Sequence, residues 1–249
     1  MSTLVLALVA GAVVGLTLGA LGGGGSVLAV PALIYLLGFT PAAATTASLV
    51  IVTATSLTAL YGHARSGHVR WKAGALFAAA GLLPAALAGA AASRLPQAAL
   101  TIAFGVIAGL AALRMLRPAP AAGAGDGTVR PVKAAGTGAG LGALTGLLGV
   151  GGGFLAVPAL VTVLAFEMQA AIGTSLLVIS ANSLASLATR GATVAGLDWS
   201  AIGPFAAAAL LGAWDGKRLA LKLSGPLLQR SFAFVLLAVA AFMLLDAVL

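Results

Sequence analysis

Gly22-Gly23-Gly24-Gly25-Ser26-Val27-Leu28-Ala29-Val30-Pro31 returns in the second half of the chain as Gly149-Val150-Gly151-Gly152-Gly153-Phe154-Leu155-Ala156-Val157-Pro158. A run of glycines inside an apolar region is poor helix, because each costs roughly 1 kcal/mol against alanine in a helix interior. Glycine also opens backbone conformations closed to other residues. Proline lacks an N–H and fixes φ, so it suits the first turn of a helix and breaks an interior. The pattern therefore predicts a helix stopping near Leu21, an irregular stretch from Gly22 to Val30 and a short helix opening at Pro31. The copy predicts the same at Leu148, over Gly149 to Val157, and at Pro158. Interrupted apolar helices at matching places in two halves point to a transport site.

The surrounding sequence is that of a polytopic helical membrane protein. Of its 249 residues 61% are hydrophobic and only 7% charged, which excludes an ordinary soluble domain. Several apolar runs reach the ~20 residues a helix needs to cross a bilayer. The formal charge of +8 does not indicate nucleic acid, because the basic residues sit in short loops between apolar segments. The absence of cysteine removes disulfides, thiolate metal sites and cysteine nucleophiles. Leu4 to Leu21 could pass for a signal peptide, but no Lys or Arg precedes it and Ala134 to Leu148 duplicates it in mid-chain, so it is read as the first structural segment.

The duplication extends over whole halves. Gly11, Gly15 and Gly19 match Gly138, Gly142 and Gly146. Phe39, Ser48 and Ser56 match Phe166, Ser175 and Ser183, and with one inserted residue Trp71 matches Trp199. Residues 1–117 form the first repeat and 134–249 the second. Residues 118–133, rich in Pro, Ala and Gly with Asp126 their only acid, form a cytoplasmic linker. Each repeat is expected to hold a broken or re-entrant glycine-rich hairpin followed by about three spanning helices. If each half crosses an odd number of times, every Lys and Arg except Arg94 and Arg190 falls on one side; an even number divides them far less sharply. The positive-inside rule then favours inverted repeats with both termini periplasmic.

Candidate binding groups follow from these breaks. Backbone N–H groups and a helix N-terminus suit an anion, whereas unwound carbonyls suit a cation. Gly11, Gly15 and Gly19 are read as a packing row; Gly24, Gly25, Ser26, Gly151, Gly152 and Gly153 are read as site. Ser48 and Thr55 lie seven residues apart on one helix face, and Ser175 and Asn182 repeat the arrangement, with Thr46 and Thr174 adding donors near the helix starts. Such hydroxyls often bond only to their own helix or to a neighbour. The acids fall in loops, at helix starts or beside Lys217 and Arg218. Without a carboxylate placed for a proton relay, an oxyanion held by neutral donors is favoured. His63 and His68 are read as interfacial loop residues. No catalytic set, metal cluster or cofactor motif is expected, so the chain is not read as an enzyme.

The Gly-x-Gly-Gly run before Val30-Pro31, its repeat before Val157-Pro158 and the Gly173-Thr174-Ser175-Leu176 run opening a helix resemble the sulfite exporter TauE/SafE (toluene-sulfonate uptake permease) family. The resemblance covers nearly the whole chain in duplicate. The first copy departs at Thr46-Ala47-Ser48-Leu49, where Thr46 and Ala47 stand for Gly and Thr. It implies an inner-membrane permease for sulfite, sulfonates or related anions, without cofactor. Its partners would be a small anion and the lipid bilayer, with a homo-oligomer left open. A transporter of another small anion, a metabolite or a cation, or a non-catalytic membrane subunit, is the alternative.

Overall fold

The computed structural model describes residues 2–92, 96–116, 131–148, 153–188 and 197–248. Within them every element is helical. Helix α1 (Ser2–Leu21) is followed by a 3-10 turn over Gly22–Gly25, then by α2 (Ser26–Pro31), which widens into a π turn over Ala32–Leu36. Next come α3 (Pro41–Arg65), α4 (Trp71–Ala92) and α5 (Gln97–Leu116). The second half repeats the order as α6 (Pro131–Leu148), α7 (Gly153–Thr162), α8 (Met168–Ala188), α9 (Trp199–Lys222) and α10 (Gly225–Val248). Five of these helices, α1, α3, α4, α8 and α10, are long and apolar enough to cross a membrane. Ser26–Leu36 and Gly153–Thr162 are too short to span. Large apolar side chains such as Leu83, Leu87, Leu211 and Phe234 face outward, as a hydrocarbon solvent demands. Helix α6 opens at Pro131, so the last residues of the expected linker are helical; residues 117–130 lie outside the described part.

The break is wound, not irregular, and this corrects the sequence reading. The chain stays helical from Gly22 onward, and α2 opens at Ser26 with Pro31 as its last residue instead of its first. In the second half α7 already runs from Gly153 with Pro158 inside it. Backbone polar groups left unpaired in hydrocarbon cost several kcal/mol each, so glycines that could unwind coil into a 3-10 turn that keeps bonds such as Ser26 N–H to the Gly23 carbonyl. The proline then interrupts the ladder one turn later, and the π turn follows immediately in the first copy.

Both short helices end alike. Phe39 N–H donates to the Leu33 carbonyl (3.1 Å) and Phe166 N–H to that of Leu160 (2.9 Å). The residue before each phenylalanine is left-handed, Gly38 at φ 69° and Ala165 at φ 55°, as a helix closed back on its own carbonyls requires.

The glycine rows set the packing. A Cβ at Gly11, Gly15 or Gly19 would strike the backbone of Phe205, Ala209 or Ala213, so α1 and α9 run parallel in direct backbone contact. Gly138 and Gly142 of α6 meet Phe77 and Gly81 of α4 in the same way, again parallel. The helices at equivalent places in the halves run antiparallel. Between α3 and α8, Ser180 Oγ–H donates to Ser56 Oγ at 2.9 Å, while nearer the start of α8 Thr174 Oγ1 accepts at 3.1 Å from Arg70 N–H in the loop beyond the end of α3. On α5 and α10, Gly105 lies against Ala240 and Leu244 while Gln229 Nε2–H donates to the Met115 carbonyl at 2.6 Å. The first helix of each half thus packs on the fourth helix of the other.

Candidate substrate site

The two breaks meet. A Cβ on Gly23 would collide with the Gly153 carbonyl and crowd Phe154, and one on Gly22, itself at φ 66°, would lie 2.6 Å from Ser175 Oγ. On the other side of the contact, a Cβ on Gly153 would come within 3.1 Å of Ser26 Oγ and press on Ile179. Three expected residues, Ser26, Gly153 and Ser175, therefore converge from the two halves. Gly22 and Gly23 are the glycines of closest approach, whereas the reading of the sequence favoured Gly24 and Gly25. A run of four glycines carries no register signal that could separate them. Gly24 lies within the 3-10 turn and Gly25 packs against Leu18 of the preceding helix. Gly151 and Gly152 lie outside the described residues.

The hydroxyls at the crossing bond locally. Ser26 Oγ–H donates to the Gly23 carbonyl at 2.7 Å and Ser175 Oγ–H to that of Ile172 at 2.8 Å. Ser48 and Thr55 of α3 do likewise toward Thr45 and Ile51. Each oxygen keeps a lone pair, and each proton can be redirected to a guest by one rotation about the Cβ–O bond. Thr46 and Thr174 are buried, and Thr174 ties the α3–α4 loop to α8 through Arg70.

Asn182 stands apart from this crossing. It lines a cavity of water size between α4, α6 and α8, walled by Phe77, Gly81, Gly138, Leu141, Gly142 and Val178. Its buried Oδ1 has no hydrogen-bond partner. The equivalent position in the first half holds Thr55, fully buried and bonded to its own helix. The two sides of the arrangement are therefore chemically unequal.

Among the ionisable groups, the reading of Glu167, Asp198 and Asp215 as peripheral stands; all three are exposed. Asp198 caps α9 by accepting from Ser200 N–H (3.0 Å) and Ser200 Oγ–H (2.6 Å), and those hydrogen bonds hold its carboxyl below the ordinary carboxylate value. Asp215 pairs loosely with Arg218 at 3.5 Å. The reading of His63 as an interfacial loop residue is overturned. It lies in the last turn of α3, is fully buried and places Nε2 3.2 Å from the Gly19 carbonyl of α1. A signal was present in the sequence, since His63 sits seven residues, two helical turns, after the buried Ser56. Among the described residues no group of His, Asp and Glu is arranged to hold a metal ion.

A polytopic helical bundle with paired helix breaks meeting between its halves belongs, on these grounds, to the membrane transporters. The chain is a member of the Sulfite exporter TauE/SafE family, whose model matches residues 7–243. A relative from Xylella fastidiosa (strain 9a5c), described as "Probable membrane transporter protein", is 34% identical, the alignment covering 97% of this chain and 95% of that protein. A second from Xylella fastidiosa (strain Temecula1 / ATCC 700964), described in the same words, matches to the same extent. No solved structure matches the chain significantly.

Proposed function

We propose that this family member is an inner-membrane permease for small sulfur-containing oxyanions, such as sulfite or organosulfonates, which pass between two inverted repeats at the crossing of the glycine breaks. The observation that carries the reading is the close backbone approach of Gly23 to Gly153, with Gly22 against Ser175 and Ser26 beside Gly153, so that one serine from each half flanks the crossing. Such a contact lets a small ligand reach main-chain groups once the halves part, and Ser26 and Ser175 supply neutral donors to an oxyanion. The exposure of the described acids Glu167, Asp198 and Asp215 favours an anion over a cation, which would call for carboxylates. The antiparallel course of α3 against α8 and of α5 against α10 supports the inverted arrangement, because two repeats related by an axis along the membrane normal would run the same way. The distribution of Lys and Arg places both termini in the periplasm in this reading.

The test is a thermal-shift screen of purified protein against sulfite, sulfate, thiosulfate, sulfonates and a chloride control at equal ionic strength. Stabilisation that saturates with one sulfur anion is the expected result. Stabilisation by a metal cation alone would replace this reading with cation transport.

A further inference from the structure

Helix α1 ends at Leu21, and an α-helix leaves its last four carbonyls without a donor of its own. Gly19 carries one of these, and it lies immediately before the glycine break. His63 answers it from α3, its ring fully buried and Nε2 3.2 Å from the Gly19 oxygen. For Nε2 to donate, the neutral ring carries its proton there, and Nδ1 is left as a buried lone pair with no partner. That lone pair is the second independent feature of the site: it is a proton acceptor held inside the protein.

The surroundings make its charge consequential. From the loop after α3 comes His68, whose ring centre is 6.4 Å away and whose own Nδ1 is buried and unpaired. From α9 comes Lys217, whose methylenes pack on Gly62, the residue before His63. Helix α1 offers no titratable side chain here, only the Gly19 carbonyl, and Arg65 turns away to Tyr61. Asp215 on α9 is exposed and directed to Arg218. Among the described residues nothing acidic is therefore set against a charged His63, and its neighbour is a lysine borne by the other repeat.

We propose that His63 is the proton-binding site through which transport is coupled to a proton. In the packed arrangement His63 is neutral and caps the break. When the repeats part, the ring reaches water, Nδ1 takes a proton, and the imidazolium opposes Lys217 until the proton is released. Proton occupancy and the α3–α9 contact then exclude one another, which is the linkage a coupled transporter requires. This inference rests on the anion-transport reading above.

The experiment uses proteoliposomes and compares two fluxes: exchange of labelled sulfite across equal sulfite and equal pH, and net accumulation driven by a pH gradient. His63→Gln keeps an amide N–H able to reach the Gly19 carbonyl but cannot titrate, so a purely structural role would survive it. The expected result is both fluxes in the unmodified protein, and in His63→Gln retained exchange with accumulation reduced at least tenfold. Undiminished accumulation by His63→Gln, or indifference of the unmodified protein to the pH gradient, overturns the coupling site and leaves anion transport standing. Absence of exchange for every sulfur anion offered overturns the transport reading and the coupling with it. The chain has only two histidines, so imidazole-labelled unmodified protein, assigned with His68→Gln, supplies a readout that needs no His63 variant. Sulfite added at constant pH should move the His63 signal between neutral and imidazolium forms, and a His63 signal unmoved by saturating sulfite contradicts the proposal.

Discussion

Ala165 carries a cost that its counterpart Gly38 avoids. Both close a short helix with a left-handed residue, at φ 55° and 69°, and an L-residue with a side chain pays about 1 kcal/mol or more for that conformation. Ala165→Gly should therefore stabilise the protein, by somewhat less than 1 kcal/mol once the greater freedom of glycine in the unfolded chain is subtracted. Gly38→Ala should destabilise it by a similar amount; thermal unfolding in one detergent compares the two. At the crossing, Ser26→Ala and Ser175→Ala remove the hydroxyls without adding bulk. Each should weaken sulfur-anion binding by about 1 kcal/mol or a little more, measured by calorimetric titration. Valine at the break glycines is a poor probe, because a Cβ on Gly25 already strikes Leu18 and one on Gly23 strikes the Gly153 carbonyl. Asp198 adds a pH dependence: its folded value is lowered, so its contribution is complete above the ordinary value of 3.8 and disappears as pH falls through the folded value. Asp198→Asn, which still caps, should remove that acid-side loss in unfolding curves.

At the scale of elements, the parallel contacts between α1 and α9 and between α4 and α6 are made by main chain against main chain. Gly15→Ala and Gly142→Ala each press a methyl into a carbonyl that cannot move aside, so each should cost 1–3 kcal/mol or more. Gly140→Ala on α6 meets open space and should be tolerated; size-exclusion profiles and melting temperatures of the three variants decide the point. The same elements show what could be read from sequence. Helix existence, the glycine rows and the doubling of the chain were legible because they are periodic and local. Thr40, immediately before Pro41, caps α3 by accepting from Ala43 N–H at 3.4 Å, as its residue type and position would suggest. The conformation of the breaks was misread because glycine preference describes an isolated chain, whereas a backbone in hydrocarbon must stay bonded. The spacing of His63 from Ser56 hints at its helix face, but the α1 and α9 contacts that bury it are distant in sequence and lie beyond local pattern. Ser26, Gly153 and Ser175 were legible as residues worth naming, but their meeting with Gly22 and Gly23 depends on the crossing of the halves.

At the scale of the molecule, the C-terminal ends of α1, α3 and α9 gather where His63 meets Gly19 and Lys217 meets Gly62. The loop at 66–70 and the turn at 223–224 therefore share one side, the basic one. In this cysteine-free chain Arg70→Cys and Ser224→Cys should resist an impermeant thiol reagent applied to intact cells, while Arg94→Cys should label. Labelling of the first two with protection of the third would invert the orientation. In the transport proposed here, the parting halves admit a sulfur oxyanion at the crossing of the breaks. Flux of radiosulfur-labelled sulfite into proteoliposomes holding the purified protein tests this. Saturable uptake, competed by an organosulfonate but not by chloride and weakened in the Ser26→Ala and Ser175→Ala double variant, is the predicted result. Uptake no greater than in protein-free liposomes, with a cation accumulated in its place, would contradict it.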